Sequence, residues 1–185
     1  MVSLDAQSPS RSLRDWLTPQ LLLVVSGLVV AVAVATADSE VGRVLNGLGG
    51  LLWIVAAVWM AASLRGEPRA LPIGVVAAAA ALILAGIIRP GTFLTAIPAF
   101  LIAGALVAMV AGPGKGYWAL LAPALYFPIH IVIAIGRVIA AHGARPIRTA
   151  PPPTDALVPL SMILAAGVAG MVVAKLLDNR DVDRR

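Results

Sequence analysis

Of the 185 residues in the chain, 60% are hydrophobic and 12% are charged, whereas soluble domains carry about 25% charged residues. This composition predicts a protein embedded in a lipid bilayer. The net charge of +5 comes mostly from arginines and lysines at the ends of apolar stretches, which argues against nucleic acid as a partner. The chain has no cysteine, which excludes disulfides, thiolate metal sites and haem attachment.

Six apolar stretches follow one another with short polar breaks between them. Their predicted bounds are about 20–37, 44–64, 70–88, 91–111, 118–141 and 156–177. A helix needs about 20 apolar residues to cross a bilayer. We therefore expect an all-α bundle of six transmembrane helices with short loops and no soluble domain. A tail over 1–19, with an interfacial turn, precedes it, and a charged tail over 178–185 follows it.

The first span begins just after Thr18 and Pro19. Thr18 is typical of a helix N-cap, and Pro19 is typical of the first helical position. An alternative interpretation is a signal peptide, because Ala35-Thr36-Ala37 fits the small-residue pattern of signal peptidase. Cleavage there would leave a chain that begins at Asp38. The apolar run is longer than a usual signal core, so we expect an intact first helix.

Glycine and alanine recur at close spacing in several spans, where they permit close approach of neighbouring helices. The clearest sets are Gly47, Gly49 and Gly50 in the second span, Gly104 with Ala108 in the fourth, and Ala166 with Gly170 in the sixth. These sets predict a bundle packed through small residues.

The fifth span alone holds ionisable side chains in its interior. At 100° per residue, Tyr126, His130 and Arg137 fall on one face of its helix. A lipid-facing arginine costs about 2.5 to 3.5 kcal/mol at a helix centre on insertion scales. We therefore expect this face to meet other helices or a water-filled cavity, with the fifth helix central. These three residues are the predicted ligand-binding site.

Pro128 adds a second polar feature to the fifth span. Its missing N–H leaves the carbonyl oxygen of Ala124 without a helical partner, close to His130. His130 can then bind a ligand or pass a proton, or it can be a structural histidine bonded to a neighbouring helix. Tyr126 either donates to His130 or satisfies its hydroxyl group on backbone.

Arg137 also has two interpretations. Its long side chain can extend to the membrane interface, or it can join a cationic rim around an external mouth that suits an anionic head group. The other members of that rim would be His142, Arg145 and Arg148.

The distribution of positive charge predicts the topology. With the N-terminus inside, nine of the 14 lysines and arginines are cytoplasmic, and five lie outside. The five are Arg43, Arg89, Arg137, Arg145 and Arg148. We therefore expect a multi-pass protein of the cell membrane with both termini in the cytoplasm.

The sequence contains no H-E-x-x-H, G-x-S-x-G or Walker motif, so we expect no catalytic residues, metal or cofactor. We expect a non-enzymatic protein that binds or transports a small or lipid-like, anionic molecule around the fifth helix. The alternative is an accessory or scaffold subunit that docks on a membrane protein or a second copy of itself. A membrane enzyme would depend on His130 and His142. In layout alone, the six short spans resemble the substrate-binding subunits of energy-coupling-factor vitamin transporters.

Overall fold

The computed structural model describes residues 18–63, 67, 69–88, 93–140 and 156–182. Within these ranges the helices are α1 (Pro19–Ala35), α2 (Glu40–Ser63), α3 (Ala70–Ile88), α4 (Phe93–Ala111), α5 (Leu121–Ala140) and α6 (Val158–Val182). A 3₁₀ helix over Gly116–Leu120 leads directly into α5. No strand occurs in the described ranges. The all-α prediction is confirmed for this part of the chain.

Three described segments are long and apolar enough to cross a membrane: Glu40–Ser63, Gly116–Ile133 and Val158–Arg180. The described apolar parts of the other helices are shorter, over Pro19–Ala35, Ala70–Leu84 and Ala96–Ala111. The 17 residues of α1 rise about 25 Å, against a hydrocarbon core of about 30 Å. The three long helices support membrane association, and the crossing of all six stays a prediction.

The first helix starts as its sequence predicts. The hydroxyl oxygen of Thr18 accepts a hydrogen bond from the backbone N–H of Leu21 at 3.3 Å, and Pro19 occupies the first turn, where its missing N–H is not needed. At the other end of the chain, α6 continues to Val182 rather than ending near 177. Arg180 lies in its last turn, where a cation complements the exposed carbonyl groups.

The helices contact one another in the cyclic order α1, α2, α5, α3, α4, α6 and back to α1. The most extensive contacts join α1 to α2 and α4 to α6, while the 3₁₀ helix packs on both α4 and α6. Helix α5 touches α2, α3, α4 and α6. The largest fully buried side chains include Trp53, Phe100, Leu23, Met60 and Leu121. These large side chains, together with many buried alanines, form the described part of the core.

Small residues allow the close approach of α6 to its neighbours. A Cβ added to Gly104 would lie 2.8 Å from the Ala166 Cα, so α4 and α6 meet backbone to backbone there. A Cβ added to Gly170 would overlap the carbonyl oxygen of Gly116 in the 3₁₀ helix. On α2, Gly49 packs closely on α1, whereas an added Cβ at Gly47 would meet nothing within 4 Å. Gly47 is therefore not one of the residues that the packing requires.

Candidate functional site

Helix α5 changes its surroundings along its length. Leu121 and Ala124 are 0% exposed, whereas Tyr126 is half-buried and His130 is exposed. The chain therefore enters α5 at the centre of the bundle, and the helix has reached the surface at His130. The predicted central position applies to the first half of the helix only.

The carbonyl group that Pro128 leaves free is satisfied inside the protein. The indole Nε1 of Trp53 donates to the carbonyl oxygens of both Ala124 and Pro123, each at 3.2 Å. Trp53 is 1% exposed, so this bond is made in a dry interior, where an unpaired carbonyl would be costly. The polar position predicted at Ala124 is therefore occupied by α2. The missing N–H of Pro128 indicates that some donor is needed, but no sequence pattern identifies Trp53 as that donor.

The structure brings two of the three predicted site residues together. The ring of Tyr126 meets the edge of Phe100 at a centroid distance of 5.2 Å, and the His130 ring stacks on Tyr126 at 5.8 Å with a 14° interplanar angle. The three rings form a row from α4 to the surface. The expectation that the whole face meets other helices or a cavity is wrong for His130, which is exposed. Since α5 leaves the bundle centre, the face that packs on α4 at Tyr126 reaches the surface one turn later.

Arg137 belongs to α5 by its backbone, but its side chain lies outside the described part of the structure. His142, Arg145 and Arg148 also lie outside the described residues. The cationic rim around an external mouth therefore stays a prediction.

A groove of about 660 Å³ runs between α1, the 3₁₀ helix and α6. Its apolar walls include Val24, Leu120, Ile163, Leu164, Val168 and Met171. Gly167 also lines it, and an added Cβ there would lie 3.7 Å from the Leu120 Cδ2, an ordinary contact distance. Glycine at position 167 therefore widens the groove, and no close packing contact requires a glycine there.

The polar residues of this groove are Gln20, Tyr117, Lys175 and Asp178. Gln20 lies at the start of α1, while Lys175 and Asp178 lie near the end of α6, so antiparallel helices bring them to one end of the bundle. The two ion pairs of the described residues do not involve Lys175. The groove therefore combines apolar walls with hydrogen-bonding and charged groups at one end, an arrangement that suits an amphiphile.

The sequence analysis did not assign these groove residues to a site. Tyr117, beside Trp118, fits the pattern of an aromatic anchor at the membrane interface, and Lys175 is one of the nine basic residues predicted to be cytoplasmic. Because α1 and α6 lie at opposite ends of the sequence, only the fold shows that Gln20 and Lys175 line one groove.

In the described residues, no group of three or more His, Asp or Glu side chains is placed to hold a metal ion. Comparison of the chain with protein-family models, with curated proteins and with solved structures gives no match. Two local arrangements are therefore the candidate functional sites: the row of aromatic rings that ends at His130, and the groove between α1 and α6.

Proposed function

We propose that this protein crosses the cell membrane six times, with both termini in the cytoplasm, and binds a lipid-like molecule without catalysing a reaction. The supporting observation is the groove between α1, the 3₁₀ helix and α6, which has apolar walls and a polar end. The interior of the bundle is filled by side chains such as Trp53, Phe100 and Leu121. Binding in a surface groove fits this packing better than passage of a ligand through the centre.

The groove matches an amphiphile in two respects. A hydrocarbon chain would lie on Val24, Val168 and Met171, whose exposed surfaces favour an apolar neighbour. At the polar end, the Lys175 ammonium attracts an anionic group, and the Tyr117 hydroxyl and Gln20 amide supply further hydrogen bonds. A lipid-like ligand with an anionic head group uses both parts of the groove, and the Asp178 carboxylate at the same end favours a head group that also carries a hydrogen-bond donor or a positive charge.

The test is native mass spectrometry of the protein extracted gently from its own membrane. Wild type should retain one lipid-sized mass per chain after detergent exchange. Gly167→Leu should lose this mass, because a leucine side chain would occupy the groove while its Cβ fits at an ordinary distance. Gly47→Leu is the matched control, because it adds the same side chain to α2 where an added Cβ meets nothing within 4 Å. Retention of the ligand by Gly167→Leu would exclude the groove.

His130→Ala separates this groove from the site predicted around the fifth helix. If the ligand occupies the groove, the His130→Ala protein should retain it, because neither His130 nor Tyr126 lines the groove. Loss of the ligand in His130→Ala, with retention in Gly167→Leu, would instead place it on the row of aromatic rings.

The exposure of His130 favours a second candidate function, that of an accessory subunit. His130 lies near the middle of α5, and ionisable residues within a membrane rarely face lipid. A second copy or another membrane protein that covers α5 would supply a polar partner for the imidazole. In the same mass measurement, a stoichiometric protein partner without lipid, lost in His130→Leu, would support this function over lipid binding.

A further inference from the structure

A second cavity lies at the same end of the bundle as the polar groove residues, beside the 3₁₀ helix. Its volume is about 300 Å³, roughly ten times the 30 Å³ that one water occupies in the liquid. The lining residues are Glu67, Arg69, Ile73, Val110, Ala111 and Trp118. Tyr117 lines the first groove and Trp118 this cavity, so consecutive residues of the 3₁₀ helix contribute to different sites.

Trp118 carries a hydrogen-bond donor that has no partner among the described residues. The residue is 3% exposed, and its Nε1 is buried with no hydrogen-bond partner within the described structure. The indole of Trp53, by contrast, donates to two carbonyl oxygens. Buried donors without a partner are rare and unfavourable, so an acceptor oxygen that reached the N–H of Trp118 would stabilise this site.

Among the described residues that line the cavity, one cation has no ion-pair partner. The Lys115 ammonium pairs with the Glu67 carboxylate and lies 5.2 Å from the centroid of the Trp118 ring. Arg69 is exposed, and no ion pair in the described residues involves it. Its guanidinium presents a planar set of donors suited to the oxygens of a phosphate. Two cations against one carboxylate therefore favour an anion with several acceptor oxygens.

The cavity continues into an apolar groove between α3 and α4. This groove has a volume of about 320 Å³, and it shares Ile73 and Val110 with the cavity. Its other lining residues are Pro72, Val76, Ala77, Ala80 and Leu106. The surface that carries Arg69 and Trp118 therefore lies next to a strip of apolar side chains on the two helices.

We propose that this surface binds a phospholipid, with the phosphate held by Arg69 and by the N–H of Trp118, and with one acyl chain lying between α3 and α4. This proposal and the proposed function both assume that the protein lies in a membrane. They are otherwise independent, because this site does not involve the groove between α1 and α6. The same phosphate chemistry can come from inorganic phosphate, but the adjoining apolar groove favours the lipid.

The test follows the indole signal of Trp118 by nuclear magnetic resonance, on protein labelled with ¹⁵N-tryptophan in maltoside micelles that contain no phosphate. Trp118→Phe identifies the signal. Phosphatidic acid should shift the signal and saturate it. Diacylglycerol, which has the chains without the phosphate, should leave it unchanged, and inorganic phosphate should act only at much higher concentration. Equal potency of inorganic phosphate, or an equal shift with diacylglycerol, would overturn the proposal.

The Arg69→Gln variant should fold normally, because Arg69 is exposed, and it can be studied by the same titration. It should weaken phosphatidic acid binding by roughly tenfold, the loss expected for a hydrogen bond to a charged group. Arg43→Gln is the matched control, since it removes an exposed arginine that pairs with Glu40 at the other end of α2. Equal weakening by both variants would show a general effect of charge and overturn the site.

Gly167→Leu separates this proposal from the proposed function. It obstructs the groove between α1 and α6, so the titration of the Trp118 signal should not change. A loss of phosphatidic acid binding in this variant would overturn the independence of the two sites.

Discussion

The two halves of α5 have similar apolar sequences but opposite surroundings. In the first half, Leu121 and Ala124 are 0% exposed, and the indole of Trp53 satisfies the carbonyl oxygen that Pro128 leaves free. In the second half, His130 is exposed and Val132 is 69% exposed. Hydrophobicity therefore predicts that both halves avoid water, but it does not predict which half packs on protein. Substitutions should affect stability most at the start of α5 and progressively less toward its end.

The largest loss of stability is expected for a substitution where α6 meets the 3₁₀ helix that precedes α5. Gly170→Val should lower the free energy of unfolding by about 1 to 3 kcal/mol, because its Cβ would overlap the Gly116 carbonyl and force the helices apart. Gly136→Ala, in the second half of α5, is the control, since an added Cβ there meets nothing within 4 Å. Unfolding by titration with sodium dodecyl sulfate, starting in maltoside micelles, measures the free energy of unfolding of both variants. Equal losses would contradict the close contact of α6 with the 3₁₀ helix that precedes α5.

The next largest effect tests the bond between α2 and α5. Trp53→Phe should cost about 1 to 3 kcal/mol, because it leaves buried carbonyl groups without their donor. Pro128→Ala restores a backbone N–H that can bond to Ala124, so Trp53→Phe should cost less in that background. Unfolding free energies of the two single variants and the double variant give the coupling. The same cost in both backgrounds would show that Trp53 acts only by packing.

His130→Ala should change the free energy of unfolding by less than about 0.5 kcal/mol, as expected for an exposed side chain. Its contact with the Tyr126 ring is the interaction that is lost. The same detergent titration, on protein purified free of other chains, checks this. A loss as large as that of Trp53→Phe would mean that His130 is buried in the purified state, for example by a second copy.

The smallest effect is expected away from α5, at the start of α2. Glu40 and Arg43 form an ion pair at 3.8 Å with side chains that are 92% and 69% exposed. Arg43→Ala should therefore change stability by only a few tenths of a kcal/mol, and less at high salt. This variant gives the baseline for the other three. A change above about 1 kcal/mol would show that Arg43 has a role beyond an exposed ion pair.

Much of the local structure follows from short sequence patterns. The cap at Thr18 and the start at Pro19 occur as predicted, because both depend on bonds within one helical turn. The small residues Gly104, Ala166 and Gly170 lie at helix contacts, because a missing side chain permits close approach only where a neighbour is present. Gly47 is the exception and has open space beside it. Small size therefore permits a contact without specifying it.

The site was less predictable than the helices. The face that holds Tyr126 and His130 follows from helical periodicity, and the structure stacks these two rings. Their burial depends on how far α5 follows α4, which no property of the single helix determines. The groove around Gly167 and Lys175 was not predicted, because its walls come from α1, the 3₁₀ helix and α6.

The sequence by itself determined an all-α chain of strongly apolar segments, some of the cap and contact residues, and a fifth helix with a polar face. These properties depend on hydrophobicity, on spacing along one helix and on the missing N–H of proline. The packing of the helices is needed to show that Trp53 satisfies Ala124, that His130 faces outward and that the Trp118 donor, near Arg69, has no partner among the described residues. The physical reason is that each depends on which helices are neighbours, and apolar helices can pack in many orders with similar burial.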